Sequence, residues 1–249
     1  MLALERLTKH FGGVRAVQDL DLEVRENEIL GLIGPNGSGK STTVNLVTGV
    51  FSPTEGRVRL RDRDITGWPP HRVLAAGIGR TFQNIRLFGN LTVWQNLWVA
   101  QNAQSRRDGG LLRRWLAMDR ASLRHIEETL EFSRLLEKKD ELARNLAFGE
   151  QRRLELARTL AAEPDLLFLD EPAAGMNAAE MSDLRERILA LKARGKTVVL
   201  IEHHMELVMT VAERLAVLNF GEKIADGPPA AVQENERVRE AYLGTRRGR

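Results

Sequence analysis

The chain has 249 residues, 43% of them hydrophobic and 29% charged, with a net charge of +3 and no cysteine. That length and balance support a buried core and exclude a wholly disordered chain, while the missing cysteines exclude disulfides, thiolate metal sites and a cysteine nucleophile. The small positive excess suits an anionic ligand but is too weak to argue for nucleic acid. Charged residues stand among the first ten positions and no apolar run approaches the ~18 residues that span a bilayer, so the sequence predicts neither a leader nor a membrane helix.

In chain order, Leu2–Phe11 and Leu20–Val24 alternate as strands of an N-terminal sheet. Ile29–Ile33 is a short apolar strand that runs through a Gly-rich turn into a helix over Lys40–Thr48. Val58–Leu60 and Ile78–Thr81 are further short strands, with a helix after Pro69-Pro70 between them. From Val93 the apolar spacing becomes helical, and residues 93–163 are predicted as a helical lobe inserted into an α/β domain made of residues 1–92 and 164–249. Leu166–Leu169 and Val198–Ile201 are buried strands joined by an amphipathic helix over Glu180–Ala193, the pattern of a parallel crossover. Arg237–Leu243 is predicted as a closing helix, and the Arg-rich stretch Ser105–Arg114 as a loop between helices. The expected class is α/β: a P-loop core with a mixed or parallel sheet, an N-terminal antiparallel β-subdomain and an inserted α-helical subdomain.

Gly34-Pro35-Asn36-Gly37-Ser38-Gly39-Lys40-Ser41 fits the G-x-x-x-x-G-K-[ST] pattern and sits between an apolar strand and a helix that continues with Thr42. Glycines let the backbone wrap phosphate oxygens, the lysine reaches the outer phosphates and the serine hydroxyl ligates Mg²⁺. Leu166–Asp170 followed by Glu171 is an apolar strand ending in two acids. Asp170 suits contact with Mg²⁺ and Glu171 suits polarisation of an attacking water. His10, His71 and His125 are scattered and suggest no metal cluster.

With these motifs in place the chain resembles the ABC transporter ATPases over nearly its whole length. Leu146-Ala147-Phe148-Gly149-Glu150-Gln151 stands where that family carries its signature loop, opening a helix near Glu150, although the commonest wording has a serine where Ala147 stands. Gln83 is similar to the family's glutamine-loop residue, a ligand of Mg²⁺ or of the attacking water. His203, placed just after what the pattern suggests is the last core strand, is similar to the switch histidine that holds the γ-phosphate. Phe11 stands where the family stacks an aromatic on adenine, and Asn177 where an aspartate is more usual.

The resemblance implies an ATPase that closes as a dimer of cassettes around ATP and Mg²⁺. Ala147, Phe148, Gly149 and Glu150 of one subunit would face the nucleotide held by another. Its other partners would be membrane permease subunits, and its place the cytoplasmic face of the membrane, held peripherally. Thr81–Phe88, Glu171–Gly175, Ile201–Met205 and Ala241–Gly244 are worded as in the ATPases of branched-chain amino-acid importers. The lipopolysaccharide-transport ATPases are a near alternative, and soluble ABC ATPases a remoter one. Ile85, Leu87, Phe88 and Trp94 could line a groove for a permease helix or pack the lobe's core, and Arg106, Arg107, Arg113 and Arg114 could touch lipid headgroups.

Overall fold

Three short segments with every residue buried form the centre of the molecule's main sheet. They are β3 (Ile29–Ile33), β7 (Leu166–Asp170) and β8 (Thr197–Ile201). Strands covered on both faces cannot alternate with polar residues, which is why they read as continuous apolar runs. The computed structural model describes residues 1–82, 85–104 and 120–243. It divides into two compact units, residues 1–78 with 165–249 and residues 79–164. The second unit thus takes in residues 79–92, which the sequence pattern assigned to the core.

In the first unit, β1 (Leu2–Phe11), β2 (Val14–Val24), β4 (Glu55–Leu60) and β5 (Arg63–Asp64) form an antiparallel sheet of order β2-β1-β4-β5. β2 begins six residues before the expected Leu20, because Val14–Asp19 lack a clean apolar–polar alternation and pairing with β1 extends the strand. The larger sheet has the order β10-β9-β3-β8-β7-β6, with β6 at Ile78–Arg80, β9 at Arg214–Asn219 and β10 at Glu222–Gly227. β3 pairs in parallel with both β8 and β9, and β10 returns antiparallel on β9, so the sheet is mixed.

Val198–Ile201 is therefore not the last core strand. β9 follows it in sequence and lies on the other side of β3, its Leu215–Leu218 fully buried. The unit's helices are α1 (Lys40–Val47), α2 (Pro70–Ala75), α6 (Ala178–Ala193), α7 (Met205–Val211), α8 (Pro229–Glu234) and α9 (Glu236–Leu243). One apolar cluster joins both sheets to α1, drawing on Leu7, Leu20, Val58, Val44, Leu46, Phe168, Ile201 and Leu218.

The second unit packs α3 (Val93–Gln104), α4 (Arg120–Phe132) and α5 (Phe148–Ala161) around Val93, Leu97, Ile126, Leu130, Leu135, Leu154 and Ala157. Short 3₁₀ turns at Leu136–Lys138 and Ala143–Asn145 precede α5. Leu87 and Trp94 pack against this cluster, with Trp94 stacked on Trp98 at 6.4 Å, so Trp94 belongs to the lobe's core. Phe88 stays 48% exposed, with the Arg158 guanidinium 5.6 Å from its ring centre. The Ser105–Arg114 stretch and its arginines lie outside the described residues.

Candidate functional site

The turn from β3 into α1 is held by backbone geometry that few residues other than glycine adopt. Gly34, Gly37 and Gly39 have φ of 151°, 78° and 104°. A Cβ at Gly34 would come 2.1 Å from the Leu218 carbonyl oxygen, and one at Gly39 would come 2.6 Å from that of Ala16. Neither neighbour is a side chain that could swing away, so the loop is glycine by necessity as well as by motif. The turn after β9 braces it, since the Gly221 N–H donates to Ser38 O at 3.0 Å and the Gln18 N–H to Gly221 O at 2.9 Å.

Lys40 opens α1 and folds back into the loop. Its Nζ donates to Gly34 O at 2.7 Å, to Pro35 O at 3.0 Å and to Ser38 Oγ at 3.4 Å. Burial lowers its pKa, opposed by the nearby carboxylates of Glu171 and Asp170, and the net direction is down. A desolvated ammonium facing two carboxylates at a helix N-terminus is a ready receptor for phosphate oxygens. Pro35 is half-buried, Asn36 and Gly37 are exposed, Ser41 is exposed at the first turn of α1 and Thr42 half-buried beside it. Phe11 closes β1 with its ring 42% exposed, edge-on to Phe51 at 5.2 Å and 5.0 Å from Lys9 Nζ.

At the carboxyl end of β7 the two acids diverge. Asp170 is 4% exposed. Glu171 adopts a left-handed conformation, φ 47°, uncommon for a residue with a long side chain. Its N–H is fixed to Ile201 O at 2.8 Å, and its Oε1 lies 3.9 Å from His203 Nδ1. Sheet geometry thus brings together Lys40, Asp170, Glu171 and His203 from three adjacent parallel strands. Ser41's hydroxyl and Asp170's carboxylate are hard oxygen donors of the kind Mg²⁺ takes. His204 stacks near His203, ring centres 4.5 Å apart.

Sequence reasoning missed Glu202, which is 1% exposed between β8 and His203. The signal was there: Thr197–Ile201 ends in an acid just as Leu166–Leu169 does. Glu202, His203 and His204 each offer a ligand atom within 4.8 Å of one another, but both Glu202 oxygens already accept backbone N–H groups. Burial raises the pKa of Tyr242, the chain's single tyrosine on α9, with the nearby Gly34 backbone opposing it.

In the helical unit, α5 starts at Phe148, not near Glu150, because Ala147 is its N-cap. Alanine offers no acceptor, so only the reciprocal half of a capping box forms, Ala147 N–H to Glu150 Oε2 at 3.0 Å. Ala147 and Phe148 are exposed, and Gly149 and Glu150 half-buried. Burial acts to raise the Glu150 pKa, but bonds from Lys138 and the Ala147 N–H and the charge of Arg153 outweigh it, and the net direction is down. By contrast α6 has the whole box: the Glu180 N–H donates to Asn177 Oδ1 and the Asn177 N–H to Glu180 Oε2, both at 3.0 Å. Asn177 thus caps as an aspartate would. Gln83 lies outside the described residues. Its neighbour Phe82 is tied to α5, its N–H donating to Glu155 at 3.3 Å and its carbonyl accepting from Arg152 at 3.2 Å.

A family model described as "ABC transporter" matches residues 17–174, and one described as "Branched-chain amino acid ATP-binding cassette transporter" matches residues 222–247. The high-affinity branched-chain amino acid transport ATP-binding protein LivG of Salmonella typhimurium is 44% identical, the match covering 98% of each chain. BraF of Pseudomonas aeruginosa, of the same description, is 41% identical over 98% of each chain. The lipopolysaccharide export system ATP-binding protein LptB of Haemophilus influenzae is 35% identical, covering 98% of this chain and 97% of that one. Among solved structures, the ADP conformation of MJ1267, an ATP-binding cassette of an ABC transporter, superposes with a TM-score of 0.85 at 31% identity over 98% of both chains. The dimeric ABC transporter cassette MJ0796 has a TM-score of 0.78 at 25% identity, covering 92% of this chain and 99% of that one. With a glycine-bound phosphate loop, paired acids at the end of β7 and a facing histidine, the chain belongs to the ABC transporter family as one of its ATP-binding cassettes, an ATPase.

Proposed function

We propose that this cassette hydrolyses ATP to drive import of branched-chain or other hydrophobic amino acids through a separate permease, working as a dimer at the cytoplasmic face of the membrane. The convergence of Lys40, Asp170, Glu171 and His203 supports the chemistry. The cargo is supported by the identity to two branched-chain amino acid transport proteins, above that to the lipopolysaccharide export protein. No helix among the described residues is long and apolar enough to cross a membrane, so the translocation path would belong to other chains.

In this reading the N–H groups of Gly34–Ser41 and the positive end of α1 hold the β- and γ-phosphates, with Lys40 moving from its loop carbonyls onto phosphate oxygens. Phe11 stacks on adenine, while Pro35, Asn36 and Thr42 shape the loop's rim. Ser41, Asp170 and Gln83 would hold Mg²⁺, which neutralises charge developing on the phosphates. Glu171 orients and deprotonates the attacking water, and His203 donates to the γ-phosphate. Ala147, Phe148, Gly149 and Glu150 present the N-terminal end of α5 to the nucleotide of a second copy. Loss of the γ-phosphate removes those charge-assisted contacts, and the pair reopens.

The test is reconstitution with candidate permease and binding proteins in proteoliposomes. ATP-dependent uptake of labelled leucine, isoleucine or valine is the expected outcome. ATP-dependent extraction of lipopolysaccharide with no amino-acid uptake would transfer the chain to the alternative reading favoured by the export-protein relative.

A further inference from the structure

Glu202 is a buried carboxylate for which no role has yet been given. Its Oε1 accepts the Ala173 N–H at 2.8 Å, from the loop that leaves Glu171. Its Oε2 accepts the N–H of His203 at 3.0 Å and of His204 at 3.3 Å, and lies 3.9 Å from the His203 imidazole Nδ1. Among the described residues no lysine or arginine lies within ion-pair distance of it. A carboxylate this buried is held only while its amide donors stay in place, because each lost bond exposes the full desolvation cost of the charge. The two segments it joins, 29 residues apart in sequence, are therefore held together.

A second tether runs alongside, since the Glu171 N–H donates to Ile201 O at 2.8 Å. Residues 171 and 173 are thus clamped to residues 201 and 202, with Pro172 between. The clamp fixes Glu171 in its left-handed conformation, which aims its carboxylate toward His203. Nδ1 of His203 lies 3.9 Å from a carboxylate oxygen of each of Glu171 and Glu202, so the imidazole sits beside both acids.

We infer that Glu202 is a positioning residue for hydrolysis: it locks the segment carrying the γ-phosphate-contacting histidine to the loop that follows the water-activating glutamate, so that a shift of either is felt by the other. This rests on the roles given above to Glu171 and His203.

The experiment compares wild type, Glu202→Gln and Glu171→Gln for phosphate release, for affinity toward a fluorescent ATP analogue and for melting temperature. Glutamine keeps the size of the side chain but turns an NH₂ toward amide N–H groups, which breaks one side of the clamp. The expected result for Glu202→Gln is a kcat at least about tenfold lower with nucleotide affinity within about twofold of wild type. A kcat within about twofold of wild type, or a loss of affinity and rate in step with a fall in melting temperature, would overturn the proposal and leave Glu202 as a structural anchor. If Glu171→Gln hydrolyses at the wild-type rate, the hydrolytic assignment itself fails, and the inference with it. Should Glu202→Gln not fold, amide hydrogen exchange on the wild-type chain decides. The amides of Ala173 and His203 should change protection together when a non-hydrolysable ATP analogue replaces ADP, and independent behaviour overturns the coupling.

Discussion

The phosphate loop and the Ala147–Glu150 turn are both helix N-termini suited to anions, yet they are built differently. The loop is closed on its own chain: glycines in left-handed conformations pass against the carbonyls of Ala16 and Leu218, and a buried lysine is bonded to loop carbonyls. The turn is open. Ala147 caps without an acceptor, Phe148 is 49% exposed with the Arg152 guanidinium 5.4 Å from its ring, and Gly149 is not among the glycines with positive φ. One region is a finished receptor and the other a surface that needs something laid against it. That difference in construction is what the proposed dimeric sandwich would use.

The comparison can be broken by substitution, and the largest effect belongs to the finished site. Glu171→Gln removes the proposed base, and hydrolysis should fall by about 10²–10⁴-fold while ATP binding persists. Size-exclusion mass analysis with ATP and Mg²⁺ should then show a shift toward about 56 kDa, twice the 28.0 kDa of one chain. Wild-type turnover in this variant would remove Glu171 from the mechanism. Lys40→Ala comes next. Losing charge-assisted bonds worth about 1.5–3 kcal/mol should weaken nucleotide affinity by roughly tenfold to a hundredfold, read by titration with a fluorescent analogue.

Glycine substitutions divide the two regions most sharply. Gly34→Ala should destabilise the fold and lower the melting temperature, since its Cβ would come 2.1 Å from the Leu218 backbone oxygen. Gly149→Asp should leave melting temperature and single-chain nucleotide affinity near wild type but abolish the ATP-dependent mass shift of the Glu171→Gln background. A dimer that survived Gly149→Asp would end the open-surface interpretation.

The smallest effects concern the caps. Asn177→Ala removes the side-chain half of the capping box, leaving the backbone N–H to Glu180 in place, and should cost about 1 kcal/mol in a denaturant melt. Glu150 works through charge. Its folded pKa is lowered, so its contribution to stability is complete above the ordinary glutamate pKa and is lost as pH falls through the lower folded value. The stability gap between wild type and Glu150→Gln should accordingly narrow below about pH 4, and a constant gap would assign the effect to shape rather than charge.

The sequence by itself determined what depends on neighbours in the chain. Apolar runs gave β3, β7 and β8, glycine spacing gave the phosphate loop, and the paired acids of Asp170 and Glu171 were visible because a strand end is a local feature. What escaped depends on partners far away in sequence. β9 slots in beside β3 after β8 has already passed, an ordering no periodicity encodes. The extension of β2 to Val14 needs β1 as its template, and the start of α5 at Phe148 was obscured because Ala147 lacks the side-chain acceptor that announces a cap. Glu202 went unread because only folding buries it against the amides of Ala173 and His203. Local propensity writes strands, turns and motifs. Which buried charge holds which loop is decided by desolvation, and desolvation exists only once the tertiary structure has closed around the group.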